Sequence, residues 1–242
     1  MNMYGLIGFP LTHSYSVKYF TDFFTRENMP AVFKNFPIEN IDLFPELLRE
    51  NATLKGLAVT IPYKKSIIPF LEKISPGVEA TGACNCIQIR DGKCTGFNTD
   101  IIGFEKSFMP AVLPADTDAL ILGTGGAAAA AAFVCKKNKK SFLFVSRTKA
   151  ANTILYEEID EKMMQQYSII INATPAGQFP QVNTAPNIPY NFITQKHYLF
   201  DMVYNPGETQ FLKNGLSQGA RIKNGHEMLE IQAMENWRIW NQ

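Results

Sequence analysis

The segment Leu120-Ile121-Leu122-Gly123-Thr124-Gly125-Gly126-Ala127-Ala128 constrains this 242-residue chain more than any other. An apolar run, a glycine turn and an alanine-rich helix start follow one another directly, in the pattern G-x-G-x-x-A. Closely set glycines allow a tight strand-to-helix turn and let an anion approach the first helical turn, whose N–H groups and dipole favour negative charge. A dinucleotide pyrophosphate suits this local chemistry, so Gly123, Thr124, Gly125, Gly126 and Ala127 are candidate cofactor-binding residues. About 20 residues further on, sites for NAD place an acid that accepts from the ribose 2′-hydroxyl. This chain reads Ser146-Arg147-Thr148-Lys149 there. A guanidinium with neighbouring hydroxyls suits a 2′-phosphate, which a carboxylate would repel. The expectation is NADP held in part by Ser146, Arg147, Thr148 and Lys149; a solvated basic loop is the alternative.

Strand-like and helix-like runs alternate along the chain. Apolar runs at 4–9, 31–38 and 57–61 read as strands, and helical spacing recurs at Val17, Phe20, Phe23 and Phe24 and again over 43–48. Residues 84–89 and 93–97 form a hairpin pattern across Arg90-Asp91-Gly92, since Asp-Gly suits a tight turn. Further strands are expected at 119–122, 142–145, 168–171 and 198–202, with a closing amphipathic helix over 226–240. Pro110, Pro114 and the polar 115–118 stretch mark a domain boundary near residue 110. The expected fold is α/β: an amino-terminal, open, mostly parallel α/β substrate domain (1–110, joined by the carboxyl-terminal helix 221–242), a Rossmann-type domain (111–220), and a cleft between them. Polar clusters fall just after the apolar runs, where open parallel sheets bind ligands.

Composition removes several function classes. A net charge of +1 offers no basic field for nucleic acid or anionic lipid. The apolar run 119–135 is broken by glycines and is too short to span a bilayer, and the start lacks a signal-peptide pattern, so a cytoplasmic protein is expected. Cys84 and Cys86 alternate along a strand and lack the Cys-x-x-Cys spacing of zinc sites; the four cysteines read as small core residues and no metal is expected.

Several ordered motifs remain. Gly8-Phe9-Pro10-Leu11-Thr12-His13-Ser14-Tyr15-Ser16, Val59-Thr60-Ile61-Pro62-Tyr63-Lys64, Gly82-Ala83-Cys84-Asn85, Gly96-Phe97-Asn98-Thr99-Asp100, Asn172-Ala173-Thr174-Pro175-Ala176-Gly177, Asp201-Met202-Val203-Tyr204-Asn205-Pro206 and Gly225 with Met228, Leu229 and Gln232 together resemble the shikimate dehydrogenase family over essentially the whole chain. The resemblance implies NADP-dependent reversible reduction of 3-dehydroshikimate to shikimate in aromatic amino-acid biosynthesis; a monomer or homodimer is expected. It implies Lys64 and Asp100 as catalytic residues. Ser14, Ser16, Thr60, Asn85, Tyr204 and Gln232 join them as substrate contacts, and Asn172, Thr174, Met202 and Gly225 extend the cofactor set. Lysine suits the chemistry independently, because ketone reduction needs a proton for the developing alkoxide. Singly, most of these residues could equally be helix caps, turn residues or solvated charges. The family usually has Asn where this chain has Ala58, so a missing amide is expected to raise KM for substrate, and Ala58→Asn to lower it. A quinate/shikimate dehydrogenase using NAD and a non-catalytic ligand-binding paralogue are the rival readings.

Overall fold

The computed structural model describes residues 1–11 and 15–242. The chain divides into two compact units, Met1–Thr99 with Ala233–Gln242, and Asp100–Gln232.

In the first unit, β1 (Asn2–Gly8), β2 (Ala31–Pro37), β3 (Leu54–Val59), β4 (Lys73–Ile74), β5 (Cys86–Arg90) and β6 (Lys93–Phe97) form one sheet in the order β2-β1-β3-β5-β6-β4. Helices α1 (Tyr15–Arg26), α2 (Phe44–Glu50) and α3 (Pro76–Thr81) accompany them. The β1–β2, β1–β3 and β4–β6 ladders are parallel, whereas β5 runs antiparallel to both β3 and β6. Asp91 and Gly92 turn the β5–β6 hairpin with φ of 51° and 74°, the left-handed pair that a tight two-residue turn requires. Successive strand residues face opposite sides. Ile7, Leu57, Val59 and Ile87 therefore pack in one apolar cluster, and Tyr4, Leu6, Ala58 and Cys86 in another with Phe20, Phe24, Ala233 and Trp240.

The second unit opens with α4 (Asp100–Phe108) and continues through β7 (Asp118–Leu122), α5 (Gly126–Lys137), β8 (Ser141–Ser146), β9 (Thr153–Leu155), α6 (Glu161–Gln166), β10 (Ile169–Asn172), β11 (Tyr198–Asp201), α7 (Gln210–Ser217), β12 (Arg221–Lys223) and α8 (His226–Trp240). Its sheet has the order β9-β8-β7-β10-β11-β12 with every ladder parallel. Chain order thus runs outward in both directions from β7, the doubly wound arrangement of a Rossmann fold; such sheets bind ligands outside the carboxyl ends of the strands, where the order reverses. Ala119, Ile121, Ile169, Ile171 and Phe200 supply the core on one face; Leu120, Leu122, Ile170 and Leu199 supply it on the other.

The break falls at Thr99/Asp100 rather than near residue 110. Ile101, Phe104 and Phe108 of α4 bury their side chains with Ala128, Ala131 and Val134 of α5, so the helix belongs to the second core. Pro110 sits in a 3-10 turn (Met109–Ala111) that follows this helix and separates no domains. At the other end, β12 and the first half of α8 stay with the second unit, and only residues from Ala233 onward join the first.

Candidate active site

In the second unit the chain leaves β7 through Gly123, whose φ of +102° favours glycine. A side chain there would also crowd the loop after β10: an added Cβ would lie 3.1 Å from Thr174 Cγ2 and 3.3 Å from the Ala173 carbonyl oxygen. Gly125 precedes α5 as its cap, with no side-chain cap bond and no acid in the first turn of the helix. Among the described residues, a Cβ built on Gly125 would meet no atom within 4 Å. The residues present therefore fit a dinucleotide pyrophosphate: helical N–H groups without a side-chain cap, no acid in the first turn, and, among the described residues, backbone open to close approach.

Ser146 ends β8 and its Oγ accepts from the Thr148 N–H at 3.2 Å. Arg147 is exposed and, among the described residues, makes no ion pair. The ammonium of Lys149, an expected cofactor contact, is paired with Glu158 in an exposed position.

Asn172, an expected cofactor contact, has its amide engaged within the protein. It is fully buried, and both ends of its amide are occupied: Nδ2 donates to Asp201 Oδ1 (2.9 Å) and to the Ala176 carbonyl (3.3 Å), while Oδ1 accepts from the Thr174 N–H (3.1 Å) and hydroxyl (2.6 Å). That exhausts the bonding capacity of an asparagine. Its work is to shape the loop that carries Thr174. Asp201 further accepts from the Val203 N–H (3.0 Å) and from the Thr209 hydroxyl, the side-chain cap of α7. Burial pushes its carboxyl up to about 6, against the lowering effect of the bonds from Thr209, Val203 and Asn172. Met202 and Gly225 come together, since the Gly225 N–H donates to the Val203 carbonyl at 3.2 Å and a Cβ on Gly225 would collide with the Met202 carbonyl. Tyr204 is half-buried in the segment after β11, with its hydroxyl pKa raised by burial. Asp100 is buried at the first position of α4, and Gln232 is half-buried on α8, its Nε2 donating to the Leu229 carbonyl at 3.0 Å.

In the first unit, Thr60 leaves β3 as its N–H donates to the Ile7 carbonyl (2.9 Å) and its carbonyl accepts from Tyr63 (2.9 Å). The Lys64 carbonyl accepts from the Cys84 N–H at 2.7 Å, which sets Lys64 next to the segment carrying Asn85. Asn85 is buried, with Oδ1 accepting from the Thr99 N–H (2.6 Å) and Nδ2 donating to the Thr99 hydroxyl (3.0 Å). Ser16 lies within the first turn of α1 rather than before the helix, while Thr12, His13 and Ser14 lie outside the described residues. All four cysteines are buried free thiols. Burial raises Cys94 and Cys135 to about 12, which suits their reading as small core residues.

Sequence reasoning missed Asn236, a buried amide whose Oδ1 accepts from the Thr99 hydroxyl at 2.6 Å. Its spacing of four from Gln232 on one helix was the available signal, since such positions share a face.

Fold and site together define a two-unit α/β protein with a dinucleotide-type loop in its second unit. The profile of the shikimate dehydrogenase substrate binding domain matches residues 6–87. The chain is 34% identical to the shikimate dehydrogenase (NADP(+)) of Methanosphaera stadtmanae, covering 98% of this chain and 90% of that one. It is 35% identical to the enzyme of the same name from Clostridium beijerinckii, covering 100% and 93%. Among solved structures, shikimate dehydrogenase 1 from Peptoclostridium difficile superposes with a TM-score of 0.86 at 35% identity, covering 100% of this chain and 92% of that one. The chain belongs to the shikimate dehydrogenase family.

Proposed function

We propose that this protein is an NADP-dependent shikimate dehydrogenase that reversibly reduces 3-dehydroshikimate to shikimate in aromatic amino-acid biosynthesis. The observation that carries the reading is the pair of strand ends in the second unit: an uncapped glycine turn after β7, and Arg147 rather than a carboxylate after β8. NADPH, when bound, supplies the hydride for the ketone carbon. Gly123 to Ala127 receive the pyrophosphate and Arg147 the 2′-phosphate, with Ser146 and Thr148 adding hydroxyls. Thr174, Met202 and Gly225 line the remainder of the nucleotide site.

Lys64 is assigned the reacting oxygen. An ammonium stabilises the charge developing there and donates a proton to it, and in the reverse direction the amine takes the proton back. Asp100 is assigned to orienting that ammonium. Ser14, Ser16, Thr60, Asn85, Tyr204 and Gln232 hold the carboxylate and ring hydroxyls of the substrate. An NAD-dependent quinate/shikimate dehydrogenase is disfavoured by the lack of an acid after β8, and a non-catalytic paralogue by the retention of both Lys64 and Asp100. We place the enzyme in the cytoplasm as a monomer or homodimer; four buried free thiols suit a reducing compartment.

The test is shikimate oxidation followed by NADPH absorbance. Turnover should prefer NADP+ over NAD+. Lys64→Ala and Asp100→Asn should each lower kcat by about 100-fold or more with NADP+ still bound, the scale of one positioned proton-transfer group. Absence of shikimate turnover in the wild type sinks the reading.

A further inference from the structure

We propose that Asn236 is a positioning residue for substrate recognition, fixing the amide of Asn85 through the hydroxyl of Thr99. The inference rests on the reading of Asn85 as a substrate contact.

The three residues form one buried polar group in the first unit, with Asn85 3%, Thr99 0% and Asn236 1% exposed. Thr99 Oγ1 lies within reach of Asn236 Oδ1 (2.6 Å), Asn85 Nδ2 (3.0 Å) and Asn85 Oδ1 (3.2 Å). A hydroxyl has one proton and two lone pairs, so only one of the two carbonyl oxygens can receive it. The shorter approach is to Asn236. With the proton committed there, the lone pairs of Thr99 are turned toward the Asn85 Nδ2 donor, and the backbone N–H of Thr99 holds Asn85 Oδ1 at 2.6 Å. The Asn85 amide is thereby keyed at both ends and its flipped orientation excluded, because a flip would set Nδ2 against the Thr99 N–H and leave two donors facing each other.

Without the Asn236 acceptor, the Thr99 proton turns to Asn85 Oδ1, its next nearest acceptor. The Nδ2 bond then weakens, and the amide is held firmly only at its oxygen end, by the Thr99 N–H. Buried groups of this kind carry high stakes: a fully satisfied network specifies one arrangement, and a partly satisfied one does not. Asn236 occupies α8, one turn beyond Gln232, so the closing helix acts on substrate recognition in this way as well as through its proposed direct contact. The expected consequence is a change in substrate binding with little change in the chemical step, because a ring-hydroxyl contact serves ground state and transition state alike.

The experiment compares wild type, Asn236→Leu, Thr99→Val and the double variant in saturation curves for shikimate and for NADP+, with thermal melts alongside. Asn236→Leu keeps the branched shape, though it is bulkier, and removes the acceptor together with the amide donor; Thr99→Val removes the hydroxyl at nearly constant shape. Each single variant should raise KM for shikimate about 5- to 10-fold, the equivalent of one hydrogen bond, with kcat within about threefold and KM for NADP+ unchanged. In the Thr99→Val background, Asn236→Leu should add nothing to KM. A purely structural role would instead lower the melting temperature without splitting the two KM values. Normal KM for shikimate in Asn236→Leu, equal rises for both ligands, or additive effects in the double variant would each overturn the proposal. Should Asn236→Leu fail to fold, Thr99→Val alone must show the split. A wild type without shikimate turnover defeats the proposed function itself, and this inference with it; wild-type turnover with an unchanged KM in the variants defeats only this inference.

Discussion

Asp201 carries the plainest pH signature of any single residue. Its folded pKa of about 6 lies above the ordinary aspartate value of 3.8, because burial outweighs the three bonds it accepts. Folding therefore takes up a proton between those values. The contribution is full below about pH 4 and is lost as pH rises through 6, amounting to roughly 2–3 kcal/mol. Asp201→Asn removes this loss with little disturbance: Oδ1 still accepts from Asn172 and Val203, and the Thr209 hydroxyl reverses from donor to acceptor. Urea midpoints at pH 4.5 and 7.5 should show the variant gaining on wild type toward high pH; parallel profiles would contradict the raised value. Ala58 sets a different case. It is 7% exposed and packs with Tyr4, Leu6, Phe20, Cys86 and Ala233. Asparagine there places an amide inside an apolar layer, at a cost of about 1–3 kcal/mol. Ala58→Asn should therefore lower the melting temperature and leave KM for shikimate no better, contrary to the gain expected from the sequence. A lowered KM would show that the cluster opens onto the substrate.

At the scale of elements, legibility followed the strength of local signals. The β7–α5 glycine turn and the β5–β6 hairpin were readable because each needs particular backbone angles that only a few residue types supply. The edge strands β9 and β12 and the two-residue β4 were not, since three residues or fewer, of which only Thr153 is buried, carry no usable alternation. The same limit governed the site. Arg147 was legible as a charge at the end of a strand, while the commitment of Lys149 to Glu158 and of Asn172 to Asp201 depends on partners up to 29 positions away in sequence. The loop after β8 makes its own prediction. Arg147→Ala should raise KM for NADP+ by about 10-fold or more, the worth of a charge-assisted bidentate contact, and leave KM for NAD+ nearly unchanged. Equal losses with both nucleotides would make Arg147 a structural residue.

For the molecule as a whole, the consequential fact is that the first unit is not continuous in sequence. Ten residues from the carboxyl terminus, Ala233–Gln242, complete a core otherwise built from Met1–Thr99. Trp240 is the main anchor: its Nε1 donates to the Ile87 carbonyl at 3.0 Å, its ring stacks on Tyr4 with centroids 5.1 Å apart, and it approaches Gly56 so closely that an added Cβ would lie 2.2 Å from Cδ1. Trp237 meets Tyr4, Phe23 and Phe24 edge-on or tilted beside it. Losing one buried tryptophan costs about 3–5 kcal/mol, a large share of the 5–15 kcal/mol that holds a typical domain. The second unit makes no such demand on the terminus, for Met228 closes its core from the first half of α8. A chain ending at Gln232 should therefore lose the near-ultraviolet circular dichroism of the first unit's packed aromatics and all shikimate oxidation. It should still bind NADPH in a fluorescence titration and unfold with the remaining second-unit transition. Shikimate turnover surviving in that truncated chain would show that the first core closes without α8, and loss of NADPH binding would show that the two units fold only together.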